Sequence, residues 1–417
     1  MQRVFQILAA LLLVLMLSPA ALATNGTNLI AIGPVARAMG GVGIASPQSA
    51  ISAVFSNPAA MCFGPYCPAS ESNFAGTLFM PRIDASVTVG DQETKADADD
   101  KYYVIPAFGV SLPITKKPPF WRFGLAAFGV TGLGVDYRDT ALDGANFGGT
   151  GLPLASGEYT QLQILKFAPA IAFQPFERVS FGLAAQVGYS TLDLRNGSSA
   201  GYGIGAQMGM IYRITDNLSF GLTYVSPMNI DHRNVIDFES DGSDDDLELE
   251  SPQMVGAGLA YTFLENRLLV EGDVKWLNWA DSNGYEEFDW NNQWVFAIGA
   301  QYKPISKLAL RLGYNYGKSP VDEHDDFNGD GLTSVQGHQL PTYYYETFRI
   351  IGLPAIVEHH LTAGIGYEFS PSFGLHLGYM HAFKKTIKEH GTFAGEDVEI
   401  KSSLYEDSLD FALTWRF

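Results

Sequence analysis

Apolar and polar side chains alternate through the last thirteen residues, Tyr405 to Phe417. Tyr405, Leu409, Phe411, Leu413, Trp415 and Phe417 fall on one face, and Glu406, Ser408, Asp410, Thr414 and Arg416 on the other. A period of two is that of a β-strand with one apolar and one polar side. In a soluble sandwich the polar side meets water; in an outer-membrane barrel the apolar side meets lipid and the polar side the lumen. Similar runs recur near 73–89, 102–113, 121–138, 159–175, 178–194, 201–214, 217–233, 252–264, 266–279, 290–303, 307–317, 357–370, 372–384 and 405–417. They number fourteen, and single-chain bacterial barrels use an even number. In 266–277, Leu268, Val270, Val274 and Trp276 oppose Glu271, Asp273 and Lys275. Charge on a lipid face is costly, so the latter three should point into the lumen.

The connections sort by length. Those after even-numbered strands are mostly tiny: Phe176-Glu177, Thr215-Asp216, Glu265, 304–306 and Pro371, with 114–120 the longer exception. Those after odd-numbered strands are generally longer and acidic: 90–101, 139–158, 234–251, 280–289, 318–356 and 385–404. Short periplasmic turns and long outer loops are the barrel rule. The predicted fold is all-β, a fourteen-stranded antiparallel transmembrane barrel over 73–417.

The first residues read as a secretory signal over 1–23. A short basic end at Arg3 leads into an apolar run from Val4 to Leu17, then Ser18-Pro19 and the small-residue site Ala21-Leu22-Ala23. The run is shorter than the ~20 residues that span hydrocarbon. Thr24 is expected to begin the exported chain.

Composition agrees with a barrel. Hydrophobic residues make up 47% and charged residues 17%, where soluble domains carry about 25% charged. Apolar surface without a membrane helix fits a closed sheet, which satisfies every backbone group inside lipid. The 44 glycines suit small luminal positions and turns. Net charge is −19, with eight carboxylates and no base between Asp237 and Glu250. That excludes a nucleic-acid partner, which needs clustered Lys and Arg. The acidic stretches read as solvated outer loops, or as loops bridged by divalent cations. Asp326-Phe-Asn328-Gly-Asp330-Gly331 matches the first half of a calcium loop, but position 12 is Gly337 and the closing Glu is missing. Asp326, Asn328 and Asp330 are therefore only a weak Ca2+ candidate, and no other cofactor is expected. Cys62 and Cys67 enclose a short turn and are expected to form a local disulfide, which an exported protein keeps. His359 and His360 face opposite ways on a strand, poorly placed for joint metal binding.

Residues 24–72 do not alternate. They are rich in Gly and Ala and too apolar for a disordered tail; Ser49 to Phe55 is expected to form a short helix ending before Pro58. Such a segment either plugs the lumen or forms a small periplasmic cap, and the plug is expected. Here Arg37-Ala-Met-Gly-Gly-Val-Gly-Ile-Ala45 and Phe55-Ser-Asn-Pro-Ala59 resemble the N-terminal hatch of the FadL/TodX family of outer-membrane channels for hydrophobic compounds. Asp273 to Trp279, Leu310 to Pro320 and Pro354 to Gly364 resemble later stretches of the same family. Ala60, where the family often has Gly, and the two cysteines depart from it.

The resemblance implies a hatch-plugged barrel that takes up long-chain fatty acids or hydrocarbons passively. Capture would occur at outer loops, binding in an apolar pocket, and exit sideways beside an inward-kinked third strand. Arg37, Gly40, Gly41, Gly43, Asn57, Pro58 and Ala59 would form and gate the hatch. Gly129, Gly132 and Gly134 would permit the kink. Lys275 and Arg311 are the candidate luminal contacts for a cargo carboxylate, unless they pair with Glu271, Asp273 or Asp410. Tyr343, Tyr344, Tyr345 and Phe348 form either a landing groove for cargo or the core of the longest outer loop.

The expected partners are hydrophobic cargo, outer-membrane lipid and lipopolysaccharide, and the chain is expected to act as a monomer in the outer membrane. An enzyme is not expected, since no Gly-x-Ser-x-Gly, phosphate loop or His-Glu-x-x-His is present. The alternative is a general porin, and beyond it a barrel-embedded lipid hydrolase or an adhesin.

Overall fold

The computed structural model describes residues 25–65, 67–99, 102–143, 153–195, 197–238 and 242–417. The expected signal peptide and Thr24 lie outside the described residues.

The wall is built from β1 (Glu71–Val89), β2 (Tyr103–Pro113), β3 (Phe120–Asp136), β4 (Tyr159–Phe176), β5 (Val179–Leu194), β6 (Ser198–Arg213) and β7 (Leu218–Val225). It continues through β8 (Met254–Phe263), β9 (Leu268–Leu277), β10 (Gln293–Ile305), β11 (Leu308–Gly317), β12 (His359–Ser370), β13 (Phe373–Phe393) and β14 (Glu396–Arg416). Sequence neighbours pair antiparallel. β14 returns to β1 from Arg416↔Glu71 to Val398↔Val89, which closes a fourteen-stranded barrel. Alternation sets the register. On β5 and β6, Phe181, Leu183, Val187, Tyr202 and Ile204 stand exposed on the outer face, while Ser180, Gln186, Ser190 and Gln207 are buried inside. A continuous exposed apolar wall of this kind is what lipid covers.

Three predicted elements differ. The segment 90–101, read as a loop, holds a short strand, Gln92–Asp97, which turns back to pair with the upper part of β1. The segment 385–404, read as a loop, continues β13 and β14 as a hairpin to a turn at Ala394-Gly395, both at positive φ. Its inward positions, Ile387, Phe393, Val398, Ile400 and Leu404, alternate as a strand requires; the charges between them masked the period. The strand predicted over 217–233 stops at Val225. Pro227 has no N–H for the ladder, and Met228–Ile236 pairs instead with Asp245–Ser251. This hairpin lies against the inner face of β6, close enough that a Cβ at Gly201 would come 2.4 Å from Asp231 O. The barrel is therefore uneven in height. β13 and β14 have 21 residues each, whereas β7 has 8 and β9 has 10.

Candidate functional site

Residues 25–62 lie inside the barrel. Between Asn25 and Cys62 only Asn28, Ser46, Gln48 and Phe55 are less than fully buried. Luminal glycines make the seat: a Cβ at Gly182 would come 2.2 Å from Ala59 N, and one at Gly313 would come 2.1 Å from Gly40 N. Ala50–Ser56 is helical, with Ser49 and Ser52 forming a reciprocal capping box. Pro58–Cys62 is a 3-10 turn capped by Asn57.

Wall side chains bind this segment through its backbone. Asp273 accepts from the N–H groups of Gly43 at 2.9 Å and Ile44 at 3.1 Å. Glu271 accepts from Ala45 at 2.7 Å and Ser46 at 3.0 Å. Thr362 Oγ1 accepts from Gly40 N–H at 2.9 Å. Gly40 and Gly41 sit at φ +71° and +83°, where a side chain is strained. Asn57 Nδ2 donates to Ile44 O at 2.8 Å and to the wall carbonyls of Met210 and Leu222, each at 3.1 Å. Ser180 Oγ donates to Ala59 O at 2.7 Å. Arg37 is fully buried; its Nε lies 3.0 Å from Asp410 Oδ1 and its Nη2 donates to Ser408 Oγ at 2.9 Å. The residues singled out from the sequence motif thus gather at one interface between segment and wall.

β3 bends into the lumen where its glycines fall. Below Phe128 it pairs with β2, Ala107↔Phe128 to Pro113↔Arg122. Above that point no ladder joins the two strands among the described residues, and β3 pairs only with β4, with a register shift between Gly129 and Thr131. From Val130 to Asp136 the burial alternation disappears and every residue is buried, as an inturned strand requires. Gly132 and Gly134 lie in this stretch. Leu29 N–H donates to Val130 O at 3.0 Å, and Thr131 Oγ1 to Asn28 Oδ1 at 2.8 Å. The place where the β2–β3 ladder stops is thus edged by the beginning of the N-terminal segment.

Beside the bend is a cavity lined mainly by apolar groups, among them Leu29, Ile44, Phe55, Phe128, Val130 and Met254. Two lysines reach it, Lys166 and Lys275. Lys275 donates to Gly41 O at 2.9 Å and shares its strand face with Asp273 and Glu271, so its charge is matched. Lys166 is not matched. Its Nζ is 3.3 Å from Gln186 Oε1, and no carboxylate pairs with it among the described residues. From there a chain of amides leads to the N-terminal segment: Gln186 Nε2 donates to Gln207 Oε1 at 3.2 Å, and Gln207 Nε2 to Phe55 O at 2.9 Å. Sequence reasoning missed Lys166. The available signal was a single cation on the inward face of β4, between Ile164 and Ala168, with no acid on that strand.

Other candidates are placed elsewhere. Arg311 does not line the cavity; it sits near the periplasmic end of β11, where its Nε donates to Gln301 Oε1 at 2.8 Å. The tyrosines form loop core rather than an open groove. Tyr343, Tyr345 and Phe348 are buried, Tyr343 stacks on Phe393 at 4.3 Å, and Phe288 packs on Phe348 at 5.4 Å. Tyr344 is half-buried and donates to Pro153 O at 3.0 Å. The expected disulfide is not formed: Cys62 is buried at the end of the 3-10 turn, and Cys67 Sγ lies 3.1 Å from Met61 O. In the calcium-like turn, Asn328 Oδ1 accepts Asp330 N–H and Asp330 Oδ1 accepts Ala394 N–H. Asn328 thus closes the turn itself, and Asp330 ties it to the tip of the β13–β14 hairpin. His359 is exposed and His360 fully buried, on opposite faces as expected.

Residues 190–327, about a third of the chain, match the model of a family described as outer membrane protein transport protein (OMPP1/FadL/TodX). Outer membrane protein P1 of Haemophilus influenzae is 25% identical over 209 residues, which cover 46% of this chain and 40% of that protein. The fold is that of solved channels. The Pseudomonas putida toluene transporter TodX superposes with a TM-score of 0.67 at 19% identity, over 93% of this chain and 99% of that one. A Pseudomonas aeruginosa FadL homologue gives 0.67 at 12% identity, over 95% and 99%. The Ralstonia pickettii toluene transporter TbuX gives 0.60 at 15%, over 93% and 99%. The sequence resemblance to the FadL/TodX family is matched over residues 190–327, and the chain has the β-barrel fold of these solved channels.

Proposed function

We propose that this protein is a passive outer-membrane channel for apolar compounds ending in a carboxylate, with long-chain fatty acids as the cargo class. It is a transporter and not an enzyme. The observation that carries the cargo assignment is Lys166. An ammonium buried without a counter-charge costs several kcal/mol, and a carboxylate arriving with the cargo supplies the missing charge as a charge-assisted hydrogen bond. The apolar lining takes the chain, at ~25 cal/mol per Å² removed from water.

Cargo enters from the extracellular side and leaves sideways, through the gap between β2 and β3, into the outer leaflet. Such an exit spares it periplasmic water. The N-terminal segment acts as the hatch. It edges both cavity and gap, so its displacement connects them. Arg37, Gly40, Gly41, Gly43, Asn57, Pro58 and Ala59 seat it, and Gly129, Gly132 and Gly134 keep β3 inturned. A general porin is disfavoured because the lumen is filled by buried segment.

The test is uptake of labelled oleate and labelled toluene by cells expressing the wild type, Lys166→Met, or a chain lacking residues 24–60. Oleate uptake by the wild type, weakened by Lys166→Met, supports the reading. Uptake of toluene alone, unchanged by Lys166→Met, makes the cargo a hydrocarbon. Free passage of small sugars through the wild type would make it a porin.

A further inference from the structure

The extracellular cap contains a side-chain cluster that neither cargo nor hatch uses. His324 lies in the first leg of the 318–358 loop, Glu346 in the helix Thr342–Thr347 of the same loop, and Glu389 on the upper part of β13. His324 Nδ1 is 3.0 and 3.1 Å from the two oxygens of Glu346, and its backbone N–H donates to Glu389 Oε1 at 3.1 Å. One donor atom from each of the three residues lies within 4.8 Å of the others. Arg349, fully buried, bridges the carboxylates: its Nε donates to Glu346 Oε2 at 3.0 Å and its Nη2 to Glu389 Oε1. Its remaining bonds go to Phe288 O at 3.0 Å and Asp322 O at 3.2 Å. Glu389 is itself 0% exposed, and its Oε2 has no hydrogen-bond partner.

We propose that His324, Glu346 and Glu389 hold a divalent transition-metal ion of the zinc class. One imidazole nitrogen and two carboxylate oxygens, with water in the fourth position, make a usual donor set for Zn2+. Calcium is disfavoured because it takes six to eight oxygen ligands and no imidazole. Arg349 fits an outer support: it fixes one oxygen of each carboxylate and leaves the other for the ion. With His324 neutral the two carboxylates face one guanidinium, a net negative charge that an entering cation offsets. His324 is partly exposed, which leaves a route in from solvent. In the ion-free cluster Nδ1 faces the Glu346 oxygens and carries the proton they accept; an entering metal displaces that proton, and Nε2, 3.6 Å from Asp289 Oδ2, then carries the remaining ring proton beside an acidic group. The three ligands come from two legs of one loop and from the barrel wall, so the ion clamps the 318–358 loop onto β13 and stiffens the outer cap.

The experiment uses the full chain purified in detergent, stripped with EDTA and titrated with ZnCl2 alone by calorimetry, then with Co2+ by absorption spectroscopy. The wild type should bind one equivalent of Zn2+ and give a Co2+ d–d spectrum of low coordination number. His324→Ala and Glu389→Gln should each weaken binding by roughly 100-fold or more, since even outer partners of a ligand are worth 10–100-fold. Asp326→Asn/Asp330→Asn, in the neighbouring acidic turn, should bind as the wild type does. Zn2+ should slow proteolysis of the 318–358 loop in the wild type but not in His324→Ala. Absence of a stoichiometric site overturns the proposal, as does equal binding by His324→Ala or loss only in the Asp326/Asp330 variant. Folding of each variant is read from heat-modifiable gel mobility, and His324→Gln replaces His324→Ala if the latter is unfolded. No cargo is present, so the outcome is independent of the uptake assay.

Discussion

Asp410→Asn should loosen the N-terminal segment while leaving the barrel closed. Asp410 is the only carboxylate in ion-pair contact with Arg37 among the described residues, at 3.0 Å, with both side chains essentially free of solvent. Breaking a buried pair from one side costs about 3–5 kcal/mol, because the remaining charge is stranded. Asparagine keeps the shape and one acceptor, so the low end applies, about 3 kcal/mol. Opening of the segment hydrates Arg37 and recovers that cost. The opening equilibrium should therefore rise by roughly two powers of ten, at ~1.4 kcal/mol for each tenfold. Hydrogen–deuterium exchange of peptides within 31–45 measures it, with peptides from β13 and β14 as the internal control. Ser408→Ala removes one hydrogen bond to the same guanidinium and should have a smaller effect in the same direction. Exchange within threefold of wild type in Asp410→Asn, with the barrel intact, would refute the idea that this pair holds the segment closed.

Lys166→Met should weaken oleate binding roughly 10- to 100-fold, the worth of a hydrogen bond to a charged group, and leave toluene binding unchanged or tighter; tryptophan quenching titrations in detergent measure both. Gly182→Val sets side-chain atoms where the backbone of Pro58 and Ala59 runs. It should cost at least the ~1–3 kcal/mol of core overpacking, seen as a lower midpoint in heat-modifiable gel mobility, and an unchanged midpoint would mean that the seat is not close-fitting. Tyr343→Ala removes the ring stacked on Phe393. A loss of about 3–5 kcal/mol is typical for a buried aromatic, and protease should then cut within 318–358 while uptake through the barrel persists.

The barrel was legible because a membrane wall imposes the period of two on nearly every strand. Where the reading failed, a local rule had been outweighed. Charges at Lys384, Lys385 and Lys388 hid the strand beneath 385–404, although Ile387, Val398 and Ile400 kept the alternation. Pro227 ended a strand whose hydrophobic pattern ran on. The site was legible only by face. Alternation says that Lys275, Arg311 and Lys166 point inward, but it carries no information on height along the barrel. Arg311 lies near the periplasmic end and Lys166 beside the cavity, a difference set by strand stagger and by where the N-terminal segment comes to rest. The cluster of His324, Glu346 and Glu389 spans 65 residues of sequence, and only the folding of the outer loop unites it.

The close fit between segment and wall also ties the segment to the closure of the barrel. β14 meets β1 along an unbroken seam from Glu71 to Val89, and the segment inside runs into the lower end of that seam. There Glu71 accepts from the Ala50 N–H of the segment at 2.9 Å and from Arg416 of the last strand at 2.8 Å. One buried carboxylate thus holds the first strand, the last strand and the enclosed segment together, so a disturbance of the closing seam reaches the segment directly.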